Sequence, residues 1–326
     1  MSIIERAAEM LNSVSRPKRK LAPVDTGAGA SAPEVFAKKV EEPAKGPDSE
    51  KSAPDADQSA RGSESSALTT SRAYLHIDLD RLRKQHFITP DSPRTQMAEC
   101  FRRIKRPVLA DAFSPAVKLK EGIANNLVML TSALPGEGKT FCTVNLAISI
   151  AMELDRTVLL VDADVANPSV LRALGLEARP GLMDVLADRS IALADVLCKT
   201  NIGDLTLLPA GTPHRRATEM LASDTMLSLL QEMAERYPDR IIIFDSPPLL
   251  LASEACVLAS RMSQVLLVVE EGVTTETVLK EALSRIESCE NVGLLLNKGR
   301  AVGPTSGGYG YGYGYGYGYG YGNGPQ

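Results

Sequence analysis

The aliphatic run Leu127–Thr131 leads directly into Ala133-Leu134-Pro135-Gly136-Glu137-Gly138-Lys139-Thr140, and a helical pattern begins at Lys139. A short buried strand that turns through two glycines into a helix is the P-loop arrangement, here with Ala133 at the first glycine position. Each part has a physical task. Gly136 and Gly138 let backbone N–H groups turn inward around phosphate oxygens, and the helix presents its unpaired amides and positive dipole end. Lys139 can reach the β- and γ-phosphates, and the Thr140 hydroxyl can bind Mg²⁺. The plainer alternative is a glycine turn that only caps a helix. A strand before the loop and a helix after it favour nucleotide binding.

The same alternation continues downstream. The patterns predict strands at 157–162, 205–208, 240–245, 265–269 and 292–296, with helices at 139–152, 218–236, 253–261 and 275–289. Ile/Leu/Val runs that lack polar alternation mark strands covered on both faces, so the expected fold is α/β, a mostly parallel sheet with helices on both faces. Right-handed crossovers gather the strand C-termini, and any ligand, at one edge. Two strands end there in carboxylates: Asp162-Ala163-Asp164 and Asp245-Ser246-Pro247-Pro248. A lone aspartate at a strand end commonly caps a helix. Three of them behind a P-loop point instead to Mg²⁺ binding or proton transfer. A further helix is expected over 92–106, ending before Pro107.

Composition excludes several other functions. The formal charge of −4 gives no pull toward nucleic acid, and none is expected as a partner. Cys100, Cys142, Cys198, Cys256 and Cys289 are odd in number and lack CxxC spacing, which suits buried thiols in a reducing compartment. His76, His86 and His214 stand too far apart to suggest a metal cluster. No apolar run approaches the roughly 18 residues of a spanning helix, and Glu5 and Glu9 interrupt any signal-like core. A cytoplasmic protein is expected, reaching a membrane through a partner or a surface helix.

Both ends differ from the middle. Over residues 1–20, Ile3, Ile4, Ala7, Leu11 and Val14 share a helical face ahead of Arg16, Lys18, Arg19 and Lys20. This reads either as a docking helix or as a short frayed one. Residues 21–70 are rich in Ala, Pro, Ser, Glu and Lys and are expected to be a disordered linker. Residues 71–300 form the expected globular domain. The segment 301–326 carries Tyr309, Tyr311, Tyr313, Tyr315, Tyr317, Tyr319 and Tyr321 alternating with glycine, and no charge follows Arg300.

From about Ser92 onward these motifs resemble the bacterial tyrosine kinases of capsule and exopolysaccharide export, a deviant, partition-ATPase-like branch of the P-loop NTPases. The stretch from Pro135 to Thr140 resembles the family's Walker A, Val161–Asp164 its Walker A′ and Phe244–Pro248 its Walker B. Glu99, Arg102 and Lys105 resemble the Glu-x-x-Arg-x-x-Arg helix that docks on a neighbouring subunit. The N-terminal section resembles the subgroup tied to exosortase-type loci, in which activator and kinase are separate chains. Two positions depart from the pattern: Ala166 stands where the family usually has Arg, and Lys105 replaces an Arg.

The resemblance implies a tyrosine autokinase using ATP and Mg²⁺. Pro135, Gly136, Glu137, Gly138, Lys139, Thr140 and Phe141 would hold the nucleotide, while Asn297 would contact adenine or serve as a turn residue. Thr140, Asp164 and Asp245 would hold the metal, and Asp162 would take the tyrosine proton. The seven tail tyrosines would be the acceptors. Implied partners are a membrane-embedded polysaccharide co-polymerase as activator, further copies of the chain, and a cognate tyrosine phosphatase.

Twelve steps from Asn297 to Tyr309 extend about 40 Å at roughly 3.3 Å each, so the tail can reach its own site or a neighbour's. A rival reading is an ATP-switched positioning protein of the partition or septum-placement kind. That group carries a signature Lys at the place of Leu134 and a Gly at Pro135, and neither is present. A second rival treats the tail as an adhesive or base-stacking module, but such segments normally interleave Arg or Lys, which this one lacks.

Overall fold

A computed structural model describes residues 73–91, 95–114, 123–236 and 239–299. The predicted terminal helix, the linker and the tyrosine repeat lie outside the described residues. Eight strands make one sheet: β1 (Tyr74–Leu75), β2 (Leu127–Ser132), β3 (Thr157–Asp162), β4 (Cys198–Thr200), β5 (Leu205–Leu208), β6 (Arg240–Asp245), β7 (Gln264–Glu270) and β8 (Val292–Asn297). Their order is β1-β4-β5-β3-β6-β2-β7-β8, and every pairing is parallel except β4 with β5.

Strand parity divides the core. Leu127, Met129, Leu159, Val161, Ile242 and Phe244 face one side of the sheet, and Val128, Leu130, Val158, Leu160, Ile241 and Ile243 face the other. The second face is covered by α1 (Leu79–Lys84), α2 (Gln96–Ala112), α3 (Lys139–Ala151) and α4 (Val170–Leu174). The first is covered by α5 (Leu182–Ala187), α6 (Leu193–Val196), α7 (Ala217–Leu221), α8 (Asp224–Arg236), α9 (Ser253–Ala259) and α10 (Glu276–Arg285). With both faces buried, the central strands have no polar side to show, which explains their unbroken aliphatic runs.

Several boundaries differ from the sequence expectations. The helix predicted to stop before Pro107 begins after the Thr95 cap, whose hydroxyl accepts from Ala98 N at 3.1 Å, and runs on through Pro107 to Ala112. Pro107 lies on the exposed side of the helix, and Val108 and Ala112 are buried beyond it. Burial of that last turn outweighs the lost hydrogen bond. The helix predicted over 218–236 is two helices. Ser223 breaks it, its hydroxyl donating to Met220 O at 2.7 Å and accepting from Met226 N at 3.3 Å. The helix predicted over 275–289 ends at Arg285, and that over 253–261 ends at Ala259.

Candidate active site

Register brings the carboxylates together. Asp162 and Asp245 are paired neighbours at the C-terminal ends of β3 and β6, and Leu130 of β2 pairs with Asp245 from the other side. Both aspartates share strand parity with the residues facing α3. The phosphate loop therefore rises beside them rather than across the sheet.

The loop has the conformation its glycines permit. Gly136 and Gly138 sit at φ of 86° and 92°, the left-handed region that side chains resist. Glu137 is buried and braces the turn: one carboxylate oxygen accepts from Leu134 N at 2.7 Å and the other accepts from the Thr274 hydroxyl. Asn297, at the end of β8, donates its side-chain amide to Glu137 O at 2.8 Å. Lys298 donates to Gly136 O at 2.8 Å and pairs with Glu270 at 2.9 Å.

Inside this cradle the polar side chains form one connected set. Lys139 Nζ lies 2.6 Å from Asp164 Oδ2. Thr140 donates to Asp245 Oδ2 at 2.7 Å, and Thr143 donates to the other oxygen at 3.0 Å. Ser169 stands 2.7 Å from Thr140 and donates to Asp245 at 3.3 Å. The backbone amides of Ser169 and Val170 both donate to Asp162 Oδ2 at 2.9 Å, while Asp162 Oδ1 is buried without a hydrogen-bond partner. Burial, and then the neighbouring Asp245 charge, push the Asp162 carboxyl up to about 7. Burial likewise raises Asp245, against the opposing pull of Lys139.

The predicted residues are not all gathered here. The Phe141 ring packs on Phe87 at 4.9 Å between centroids. On α2, Glu99 and Arg102 form an exposed pair at 2.8 Å, whereas Lys105 is buried, donating to Ser149 O at 2.7 Å and pairing with Glu153 in the α2–α3 seam. Ala166 is exposed on the loop after Asp164. Ser169, Thr143, Thr274 and Lys298 join the site without having been singled out by motif. Only Ser169 had a local signal, the Asn-Pro-Ser run before a short helix.

A nucleotide and a hard cation fit this arrangement. Hydroxyl and carboxylate oxygens of Thr140, Ser169 and Asp245 suit Mg²⁺ chemistry, and the orphaned Asp162 oxygen awaits a polar partner. Among the described residues no cluster of three His, Cys, Asp or Glu could cage a metal alone.

Comparison with known proteins gives this site its family. A family model described as "AAA domain" matches residues 127–292, and the chain belongs to that family of nucleotide-binding folds. More narrowly, it is a member of the bacterial tyrosine-protein kinases. It is 34% identical over 172 residues to tyrosine-protein kinase YwqD of Bacillus subtilis (strain 168), spanning 52% of this chain and 71% of YwqD. It is 31% identical over 189 residues to tyrosine-protein kinase wzc of Salmonella typhimurium, covering 57% of this chain but only 26% of wzc. The kinase domain of Escherichia coli tyrosine kinase ETK is similar in structure, with a TM-score of 0.58 and 26% identity over 74% of this chain and 94% of that one. Among the described residues no helix is long and apolar enough to cross a membrane.

Proposed function

We propose that this chain is an ATP- and Mg²⁺-dependent tyrosine autokinase whose acceptors are the tail tyrosines between Tyr309 and Tyr321. The observation that carries the reading is the hydrogen-bonded set of Lys139, Thr140, Asp164 and Asp245 beside the buried, half-satisfied Asp162. Loop amides from Gly136 to Thr140, with Phe141 contributing through its backbone, would hold the phosphates, and Asn297 would border the base. Lys139 would leave Asp164 for the β- and γ-phosphates, which frees Asp164 to join Thr140 and Asp245 around the metal. Mg²⁺, when bound, supplies neutralisation of the charge that builds between the β- and γ-phosphates.

Asp162 would accept the phenolic proton as the tyrosine oxygen bonds to the γ-phosphorus and the bond to the β-phosphate oxygen breaks, releasing ADP. A free phenol ionises near 10, so it needs a base at neutral pH, and a carboxyl raised to about 7 suits the task. Asp162 is 1% exposed, so the phenol would reach its free oxygen only if its surroundings move, and the turn ending at Ser169 and Val170, whose amides hold its other oxygen, is the segment we assign to that movement. An activator that moves this turn would switch the enzyme on. We assign that role to a separate membrane-embedded polysaccharide co-polymerase, which would hold the kinase at the cytoplasmic face of the inner membrane. Residues 71–300 would be the kinase domain, residues 1–70 a terminal helix and linker, and Glu99 and Arg102, exposed on α2, the contact with a further copy, without the buried Lys105. A cognate phosphatase would reset the tail.

The test is incubation with Mg-ATP, with and without the cytoplasmic segment of a candidate activator, followed by mass mapping of residues 301–326. Phosphotyrosine that disappears in Lys139→Met and Asp162→Asn is the expected result. An unmodified tail under every activator condition would sink the proposal.

A further inference from the structure

The two edges of the sheet are protected unequally. At one end β1 is two residues long, a common way to blunt an edge. At the other, β8 runs six residues, Val292-Gly-Leu-Leu-Leu-Asn297, with no charged residue and with only Leu295 fully buried. Among the described residues nothing pairs with its outer side. Beside it, between β8 and α2, lies a groove of about 500 Å³ whose walls are mostly apolar, Ile104, Pro107, Val108 and Leu295 among them, with Arg103 and Asp111 also lining it. Leu296 at its rim is 46% exposed. A long, apolar, uncharged edge next to an apolar groove is a template for another strand.

The chain itself carries a matching segment directly downstream. Tyrosine occupies every odd position from 309 to 321 and glycine every position between, so in extended form all seven rings share one face. The opposite face is bare backbone. The segment carries no charge, as an apolar edge requires. Its length also fits. β8 is about 20 Å long at roughly 3.3 Å per residue, and the twelve steps from Asn297 to Tyr309 cover about 40 Å, enough to turn and return. A chain that returns without crossing the sheet pairs antiparallel.

We propose that the unphosphorylated Tyr309–Gly322 repeat folds back and adds to the free edge of β8 as an antiparallel strand, its tyrosine face seated in the groove between β8 and α2. Because the repeat has a period of two, a slip by two residues restores the same faces, so several registers are equivalent and different tyrosines extend past the strand end in turn. A phosphate on a ring docked against the Ile104, Pro107 and Val108 wall, or beside Asp111, would put a charge of about −1.5 to −2 on an apolar or like-charged surface, which expels the segment. The expulsion step rests on the kinase reading. The docking step does not.

Hydrogen–deuterium exchange on the full chain tests both steps. The Lys139→Met background keeps the tail unphosphorylated, and three further versions are compared in it: a chain ending at Arg300, a chain with all seven tail tyrosines changed to Glu, and Ile104→Glu with the tail intact. Peptides covering Val292–Asn297 should exchange at least about tenfold more slowly in the parent than in all three. Unchanged exchange at Arg240–Asp245, in the sheet centre, verifies that each version is folded. Equal β8 exchange in the parent and the Arg300-terminated chain overturns the proposal. So does β8 protection that rises with protein concentration, which would make a second copy the occupant. No arm depends on catalysis, so loss of the kinase reading would leave the docking result standing.

Discussion

Lys298, one residue past the last strand and at a φ of 57°, donates its ammonium to the carbonyl of Gly136 inside the phosphate loop. The first residue after β8 thereby braces the turn that must hold the nucleotide. A non-glycine residue in the left-handed region costs about 1–3 kcal/mol and persists where its surroundings hold it. Here Glu270 and the Gly136 carbonyl do so. Removal of the cation in Lys298→Met should raise KM for ATP about threefold while kcat changes less, since an exposed contact of this kind contributes up to about 1 kcal/mol. Lys298→Arg should retain most of the affinity. Steady-state kinetics with ATP as the varied substrate checks both, and an unchanged KM in the Met variant would remove the bracing role.

The two loop glycines predict unequal damage from the same substitution. A methyl group on Gly136 would meet nothing within 4 Å, whereas on Gly138 it would fall 2.1 Å from the Asn297 side-chain nitrogen. Both positions carry the cost of a positive φ, about 1 kcal/mol or more. Only Gly138→Ala also displaces the Asn297 bond to Glu137. Gly138→Ala should therefore weaken nucleotide binding several-fold more than Gly136→Ala, which should weaken it about tenfold or less, measured by titration with a fluorescent ATP analogue. Equal losses would contradict the crowding at Gly138.

Much of this site was legible before any coordinates. Lys139, Thr140, Asp162, Asp164 and Asp245 stand at strand ends and a loop whose spacing is set by backbone geometry alone, and the structure gathers them. What a pattern cannot supply is the identity of groups that approach from distant segments. Thr274 and Lys298 reach the loop across 137 and 162 residues of sequence. The course of α2 failed for a different reason: a proline rule is local, whereas burial of Val108 and Ala112 beyond Pro107 is a tertiary effect. Lys105 resembled the third member, after Glu99 and Arg102, of a helix motif that docks on a neighbouring subunit. Its position against α3 instead commits the ammonium to Ser149.

Thiol chemistry offers an independent check on the packing of α3. Cys142 is 1% exposed, and burial, aided by the Asp245 charge, pushes its thiol up to about 12. Cys100 is exposed on α2. Iodoacetamide at pH 8 should label Cys100 within minutes and leave Cys142 unmodified until the protein is denatured, because the thiolate is the reactive form. Early labelling of Cys142 on mass mapping would mean that α3 is not buried beneath α2 as described.

The raised carboxyl of Asp162 makes stability depend on pH in a definite direction. In the nucleotide-free, metal-free protein it titrates at about 7, against roughly 3.9 in the unfolded chain. Below about pH 4 both states hold the proton and folding is not opposed by this group. Between about pH 4 and 7 the native state keeps a proton that the unfolded state has lost, so stability falls as pH rises. Above about pH 7 the buried charge opposes folding in full, by on the order of a few kcal/mol. Asp245, shifted in the same direction, adds to the fall. Melting curves in EDTA should therefore show a lower Tm at pH 8 than at pH 5. Asp162→Asn carries no titrating group and should lose much of that difference, leaving the part that belongs to Asp245. Parallel pH profiles for the two proteins would show that Asp162 is ionised throughout, and the case for its acting as the base near neutrality would go with them.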